Sequence, residues 1–164
     1  MMPIPAGAPQ TLGDAFAHIN TINTPSVTDL KVMVLIEAAG QTLYERSAEG
    51  TVNEAVRALL IANGREEMKH AGRVSAAIKA ISGEDFPPPA ASDNPYLTGH
   101  IPRATLTVDG LKATAQTEFA GDALYAKWAD SISNAEAAAL LRQNGKEESD
   151  HGNRLLEAAA LIAG

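Results

Sequence analysis

The sequence predicts an all-α fold, a four-helix bundle made of two antiparallel helix hairpins joined by a long crossover loop, on three observations. Asn63-Gly64-Arg65-Glu66-Glu67-Met68-Lys69-His70 returns later as Asn144-Gly145-Lys146-Glu147-Glu148-Ser149-Asp150-His151. The return belongs to a wider repeat, because residues 31–81 laid without gaps on residues 112–162 agree at 19 of 51 positions, with a constant offset of 81. A repeat of that length is an internal duplication of one helix hairpin. Between the copies lies a stretch holding Pro87-Pro88-Pro89, Asn94-Pro95, Gly99 and Ile101-Pro102, too rich in Pro and Gly for a helix and too long for a turn.

Residues 1–23 carry Pro3, Pro5 and Pro9 and then an amphipathic piece, Leu12 to Ile22, expected to form one or two helical turns. This arm is expected to pack on the bundle or on a neighbouring subunit, with His18 a surface or packing residue rather than a ligand. Residues 24–164 form the bundle. Thr24-Pro25 offers Thr as N-cap and Pro at the first helical position, so the first helix should run to about Ala48, where Glu49-Gly50 ends it. Thr51-Val52-Asn53-Glu54 fits a capping box and opens the second helix, which Ser82-Gly83 closes. At ~1.5 Å per residue that helix is ~45 Å long, and the short turn before it makes the pair antiparallel. The crossover, residues 83–106, gains ~3 Å per residue if extended and can travel the whole helix. His100, within it, is expected to be solvated. The third helix, about Val108 to Asp130, and the fourth, about Asn134 to Ile162 behind the capping box Ser133-Asn134-Ala135-Glu136, repeat the first hairpin.

Composition narrows the function. A chain of 164 residues, 45% hydrophobic, can bury one real core. A net charge of −7 argues against nucleic acid or an anionic membrane as partner. With no Cys there is no disulfide, thiolate metal site or thiol chemistry. The N-terminus lacks a basic region followed by a continuous apolar run, and no apolar run elsewhere is long enough to span a bilayer, so a soluble cytoplasmic protein is expected.

What the repeat keeps is chemical. Glu67 and His70 stand three apart, as do Glu148 and His151, so each pair leaves one helix face about a turn apart. Thirty positions before each of these glutamates stands another, Glu37 and Glu118. The overlay also pairs Tyr44 with Tyr125, Gly40 with Gly121, Asn63 with Asn144, Gly64 with Gly145 and Arg73 with Arg154. A Glu from each of two helices and a Glu-x-x-His from each of the other two is the pattern of carboxylate-bridged dinuclear metal sites in four-helix bundles. Two divalent ions need anionic oxygen to offset their charge, while one imidazole per ion leaves positions open for oxygen or peroxide.

With these six residues the sequence resembles the ferritin-like superfamily. The duplicated hairpin, with a Tyr seven residues after each first Glu, is most similar to the rubrerythrin group, over about residues 24–162. The resemblance implies two iron ions, with manganese or a mixed pair also admitted. It further implies that Glu37, Glu67 and His70 serve one ion and Glu118, Glu148 and His151 the other, with Glu67 and Glu148 bridging. Glu66 and Glu147 match the acidic residue that orients the opposite imidazole in related proteins, the alternative being solvated carboxylates. Tyr44 and Tyr125 match a phenol hydrogen-bonded to a ligand carboxylate or a local reductant, the alternative being core tyrosines with satisfied hydroxyls. Asp122 is a candidate extra ligand or hydrogen-bond partner. The four repeated glycines each cost a helix roughly 1 kcal/mol against Ala, for which close helix approach or a small cavity beside the metals should compensate.

Two departures are plain. Rubrerythrins add a Glu three residues after the third-helix ligand, where this chain has Gly121, and carry a Cys-ligated rubredoxin module, impossible without Cys. The expected activity is reduction of hydrogen peroxide or dioxygen with electrons from an external donor, in a homo-oligomer expected to be a dimer. Ferritin-type iron storage with ferroxidase activity is one alternative, separated by a large cage in place of a small assembly. Oxygenation of a small organic substrate in a glycine-lined cavity is another.

Overall fold

The computed structural model describes residues 1–99 and 101–164, so the expectation for His100 lies outside the described residues. In chain order it contains α1 (Leu12–Thr21), α2 (Val27–Ala48), α3 (Glu54–Ser82), a single 3₁₀ turn (Ala91–Asp93), α4 (Val108–Ser131) and α5 (Ala135–Ala163). Among the described residues there is no strand, and no helix is long and apolar enough to cross a membrane. The fold is all-α, as the sequence predicts.

Side chains that accept the free N–H groups of a first turn set where the long helices begin. Three of these caps differ from expectation. α2 starts at Ser26, not Thr24, because Ser26 and Asp29 satisfy each other's backbone N–H groups in a capping box. α3 starts at Asn53, not Thr51, since the Asn53 carboxamide accepts from both Ala55 N and Val56 N. α5 starts at Asn134, not Ser133, with Asn134 accepting from Ala137 N. In both hairpins the better acceptor sits one or two residues later than the hydroxyl. Gly83 closes α3 in the left-handed conformation as expected, φ 75°. Gly50 ends nothing by that means; a side chain there would collide with the carbonyl of Ala104 in the crossover.

α2 packs on α3, α4 packs on α5, and α3 packs on α5 across the middle. The crossover runs the length of α2. Lys31 pairs with Glu84 at one end at 2.6 Å, Asn94 Nδ2 donates to Leu35 O at 2.8 Å midway, and Arg103 pairs with Glu49 at 3.1 Å at the other end. This strap explains why eight consecutive residues of α2, Val32–Ala39, are buried although a bundle helix ordinarily exposes one face. α1 is longer than one or two turns and lies on α2, anchored by buried Ala15 and Ile19. His18 Nε2 on α1 lies 2.7 Å from Asp29 Oδ1 of the α2 capping box, within hydrogen-bond distance.

The apolar core is split in two. One cluster gathers Leu30, Val74, Ile78, Trp128 and Leu141 at one end of the bundle, and the other gathers Ala48, Val56, Leu60, Leu111 and Leu155 at the opposite end. Between them lies a layer of buried polar side chains: Glu37, Asn63, Glu67, His70, Asn144, Glu148 and His151. Polar groups placed mid-bundle without partners would be very costly, so the fold depends on how this layer is satisfied.

Candidate metal centre

The α3–α5 seam brings the two Glu-x-x-His pairs together. Ligand atoms of Glu67, His70, Glu148 and His151 lie within 4.8 Å of one another, an arrangement that could hold a metal ion. The two imidazoles are stacked with centroids 5.0 Å apart and planes 18° apart, and neither is exposed. Their outer nitrogens are accounted for: His70 Nε2 meets Glu147 Oε2 and His151 Nε2 meets Glu66 Oε2, each at 3.1 Å. Their inner nitrogens are not. His70 Nδ1 and His151 Nδ1 are buried without a hydrogen bond.

Carboxylates surround those inner atoms. His70 Nδ1 has Glu148 Oε1 at 3.1 Å and Glu37 Oε2 at 3.7 Å; His151 Nδ1 has Glu67 Oε1 at 3.2 Å, Glu148 Oε2 at 3.4 Å and Glu118 Oε2 at 3.9 Å. The distances suit charge attraction but the angles do not suit hydrogen bonds. The inner nitrogens and carboxylate oxygens of Glu67, His70, Glu148 and His151 face one small volume that could hold a metal ion, and Glu37 and Glu118 stand beside it, at 3.7 and 3.9 Å from an inner nitrogen. Glu148 is the one carboxylate that approaches both imidazoles.

The wiring around this layer is reciprocal. Arg73 clamps Glu147 at 2.7 and 2.9 Å and reaches Asn144 Oδ1 at 3.1 Å, while Asn144 Nδ2 donates to His70 O at 3.1 Å. In the other direction Arg154 clamps Glu66 at 2.7 and 3.2 Å and reaches Asn63 Oδ1 at 3.0 Å, while Asn63 Nδ2 donates to His151 O at 3.2 Å. Burial pushes Glu66 and Glu147 up, but Arg154 and Arg73 respectively hold them below the usual carboxylate range. A charged carboxylate at each Nε2 fixes the proton there, leaving Nδ1 as the inward donor atom. Arg73, Arg154, Asn63 and Asn144 were visible in the sequence as repeated pairs, but without partners to suggest a role.

Tyr44 and Tyr125 also cross over. Tyr44 donates to Glu118 and Tyr125 to Glu37, each to the carboxylate of the opposite hairpin. Burial, then the nearby carboxylates, push both phenols well above their usual range, so each keeps its proton. Asp122 is not in the cluster; it accepts from Ser149 Oγ at 2.6 Å, while Gln41 pairs with Glu45 at 2.9 Å.

The glycines divide into two kinds. Gly64 and Gly145 allow close helix approach, since a Cβ there would meet Gln41 O at 3.2 Å and Asp122 O at 3.2 Å. Gly40 and Gly121 border a cavity and leave room for the carboxylates. A Cβ on Gly40 would lie 2.7 Å from Glu67 Oε2, whereas one on Gly121 would come no closer to Glu148 than an ordinary contact of 3.4 Å. Gly40→Ala is therefore expected to push the Glu67 carboxylate aside and weaken metal binding by about tenfold or more. Gly121→Ala should leave affinity unchanged and add up to ~1 kcal/mol of helix stability. Metal titrations beside thermal melts of both variants check this; equal affinities would refute it.

The metal-free layer has its own charge balance. Burial and the neighbouring carboxylates push Glu67 and Glu118 well up. Burial opposes charge on His70, yet Glu148 and Glu37 raise it to about 10. Burial likewise opposes charge on Glu148, but His151 and His70 hold it far below its usual range. Groups raised on folding give stability that is complete below their ordinary values, 6.5 for His and 4.5 for Glu, and lost as pH rises through the folded ones. The Glu148 contribution has the opposite sign and is lost in acid. Metal-free protein is thus expected to melt at progressively lower temperature from pH 6.5 towards 10. Metal-loaded protein should gain relative to it over that range, because ligands bind metal deprotonated. Melts in chelator and in excess manganous ion would test both trends.

No family model, no curated protein and no solved structure matches the chain, so the reading of this centre rests on its own residues.

Proposed function

We propose that this chain is a ferritin-like, rubrerythrin-like di-iron carboxylate oxidoreductase that reduces hydrogen peroxide or dioxygen with electrons from an external donor. The observation that carries the proposal is the pair of stacked imidazoles whose inner nitrogens lack hydrogen bonds and face four glutamates. Glu37, Glu67 and His70 would hold one ion and Glu118, Glu148 and His151 the other, with Glu67 and Glu148 shared. Oxygen-rich ligation with one imidazole per ion suits iron and admits manganese. When bound, such ions supply the electrons for reducing peroxide or dioxygen.

The protein's own residues do the rest. Glu66 and Glu147 hold the Nε2 protons and keep the inner nitrogens available. Tyr44 and Tyr125 hold phenolic protons against Glu118 and Glu37, at the edge of the adjoining cavity. Reduction of an oxygen species consumes protons, and these two are the nearest neutral O–H groups to the carboxylates. The packed α3–α5 seam keeps solvent from the histidines, which are fully buried. These 164 residues hold no Cys for a thiolate redox module, and an external electron donor and a small homo-oligomer, a dimer, are part of the proposal.

The test is to load the protein with ferrous iron without oxygen and compare its oxidation by peroxide and by dioxygen. Faster reaction with peroxide, with iron remaining at about two per chain, is expected. Equal or faster reaction with dioxygen, together with retention of a ferric core, would move the reading to iron storage; failure to bind ferrous iron would remove both.

A further inference from the structure

A cavity of about 620 Å³ lies between α2 and α4 and ends on the four glutamates. It exists because α2 leans on α3 and α4 on α5, and the two hairpins meet through α3 and α5, leaving α2 and α4 apart. Among the described residues, the hydrogen bonds that bridge α2 and α4 are the two tyrosine–glutamate pairs at the floor. A water molecule occupies ~30 Å³ of liquid, so peroxide or dioxygen would use only a small part of this space. The volume falls in the range that takes an organic ligand, about 300–1,000 Å³.

The lining says what kind of ligand. Met33, Ile36 and Leu43 of α2, Leu124 of α4, and Phe16 and Ile19 of α1 make apolar walls. Asn20 of α1 and Thr114, Gln116 and Thr117 of α4 line the cavity from exposed positions, giving it an uncharged polar mouth. Among the described lining residues there is no Lys, Arg or His, while Glu37, Glu67, Glu118 and Glu148 stand at the floor. An anionic ligand would meet carboxylates and find no counter-charge.

We propose that this cavity binds a neutral amphiphile, with an alkyl or aromatic body between α2 and α4 and an uncharged hydrogen-bonding group at the α4 mouth. The assignment gives α1 a purpose, since its Phe16 and Ile19 close one end of the space. It does not depend on the metal reading, because walls and mouth are complete without ions.

The test uses 1-octanol and octanoate as probes, titrated calorimetrically into metal-free and into manganese-loaded full-length protein. One octanol per chain is expected in both states, bound by the metal-free protein at least about tenfold more tightly than octanoate. Thr117→Trp places a bulky ring at the mouth from an exposed site, so folding is spared, and it is expected to weaken octanol binding about tenfold or more. Ile36→Trp, filling the wall, should do the same. The proposal is overturned if octanol shows no saturable binding, if octanoate binds the metal-free protein equally well, or if Thr117→Trp with an unchanged melting temperature binds as wild type. It is also overturned if octanol binding competes with self-association, which would make the opening a contact between two copies of the chain. Loss of metal binding with octanol binding intact would count against the metal centre alone.

Discussion

Glu148→Ala is expected to abolish metal binding, a larger effect than loss of Glu37 or Glu118. Among the described carboxylates Glu148 is the one within 4 Å of both inner imidazole nitrogens, at 3.1 and 3.4 Å, so its removal takes an oxygen from beside each. Outer partners of metal ligands already account for 10–100-fold in affinity, and a shared inner carboxylate should exceed that, at roughly 100-fold or more. A ligand at about a hundred times its Kd stabilises by ~2.7 kcal/mol, which for a chain of this size raises the melting temperature by about 5–10 °C. Manganous or ferrous ion should produce that rise in wild type and almost none in Glu148→Ala, each compared with its own metal-free melt. Glu37→Ala, which touches one imidazole, should retain part of the rise. A variant that still gained the full shift would remove Glu148 from the centre.

Trp128→Ala is expected to be the most destabilising single substitution in the apolar core. The indole is fully buried, lies edge-on to Tyr125 with centroids 6.3 Å apart, and donates from Nε1 to Ile22 O at 3.0 Å. It therefore ties α4 to the segment joining α1 and α2. Truncating a buried Trp costs about 3–5 kcal/mol, or a fall of roughly 10 °C or more in melting temperature. Trp128→Phe keeps most of the volume and loses mainly the hydrogen bond, about 1 kcal/mol. Because Tyr125 packs on Trp128 and donates to Glu37, the Ala variant should also bind metal less tightly than the Phe variant. Equal melting temperatures for the two would contradict this account.

The six cluster residues were legible in the sequence because their spacing is tied to helix geometry. Glu and His three apart share a face whatever surrounds them, and the offset of 81 said that two such faces exist. The helix starts were less legible, since Thr24, Thr51 and Ser133 each compete with a nearby Ser or Asn, and the winner depends on the path by which the chain arrives. Gly50 looked like a terminator, but its reason is a carbonyl that arrives from 54 residues later in the sequence. The repeated glycines pointed to a cavity, and Gly40 and Gly121 do border it, but its place between α2 and α4 was hidden, because that depends on which helix pairs close and which stay apart. The clamps of Arg73 and Arg154 were equally hidden, as a repeated Arg does not announce its acceptor.

The reciprocal contacts between the two hairpins also bear on how the molecule assembles. Asn63, Glu66 and Tyr44 find their partners on the second hairpin, and Asn144, Glu147 and Tyr125 find theirs on the first. Neither hairpin is chemically complete by itself. The strap along α2 thus does more than connect: it keeps the two halves at an effective concentration on the order of millimolar, turning an encounter between separate pieces into an internal step. A chain nicked within residues 83–106 would have to recover its centre by association, and its melting temperature would then depend on protein concentration more steeply than that of the intact chain.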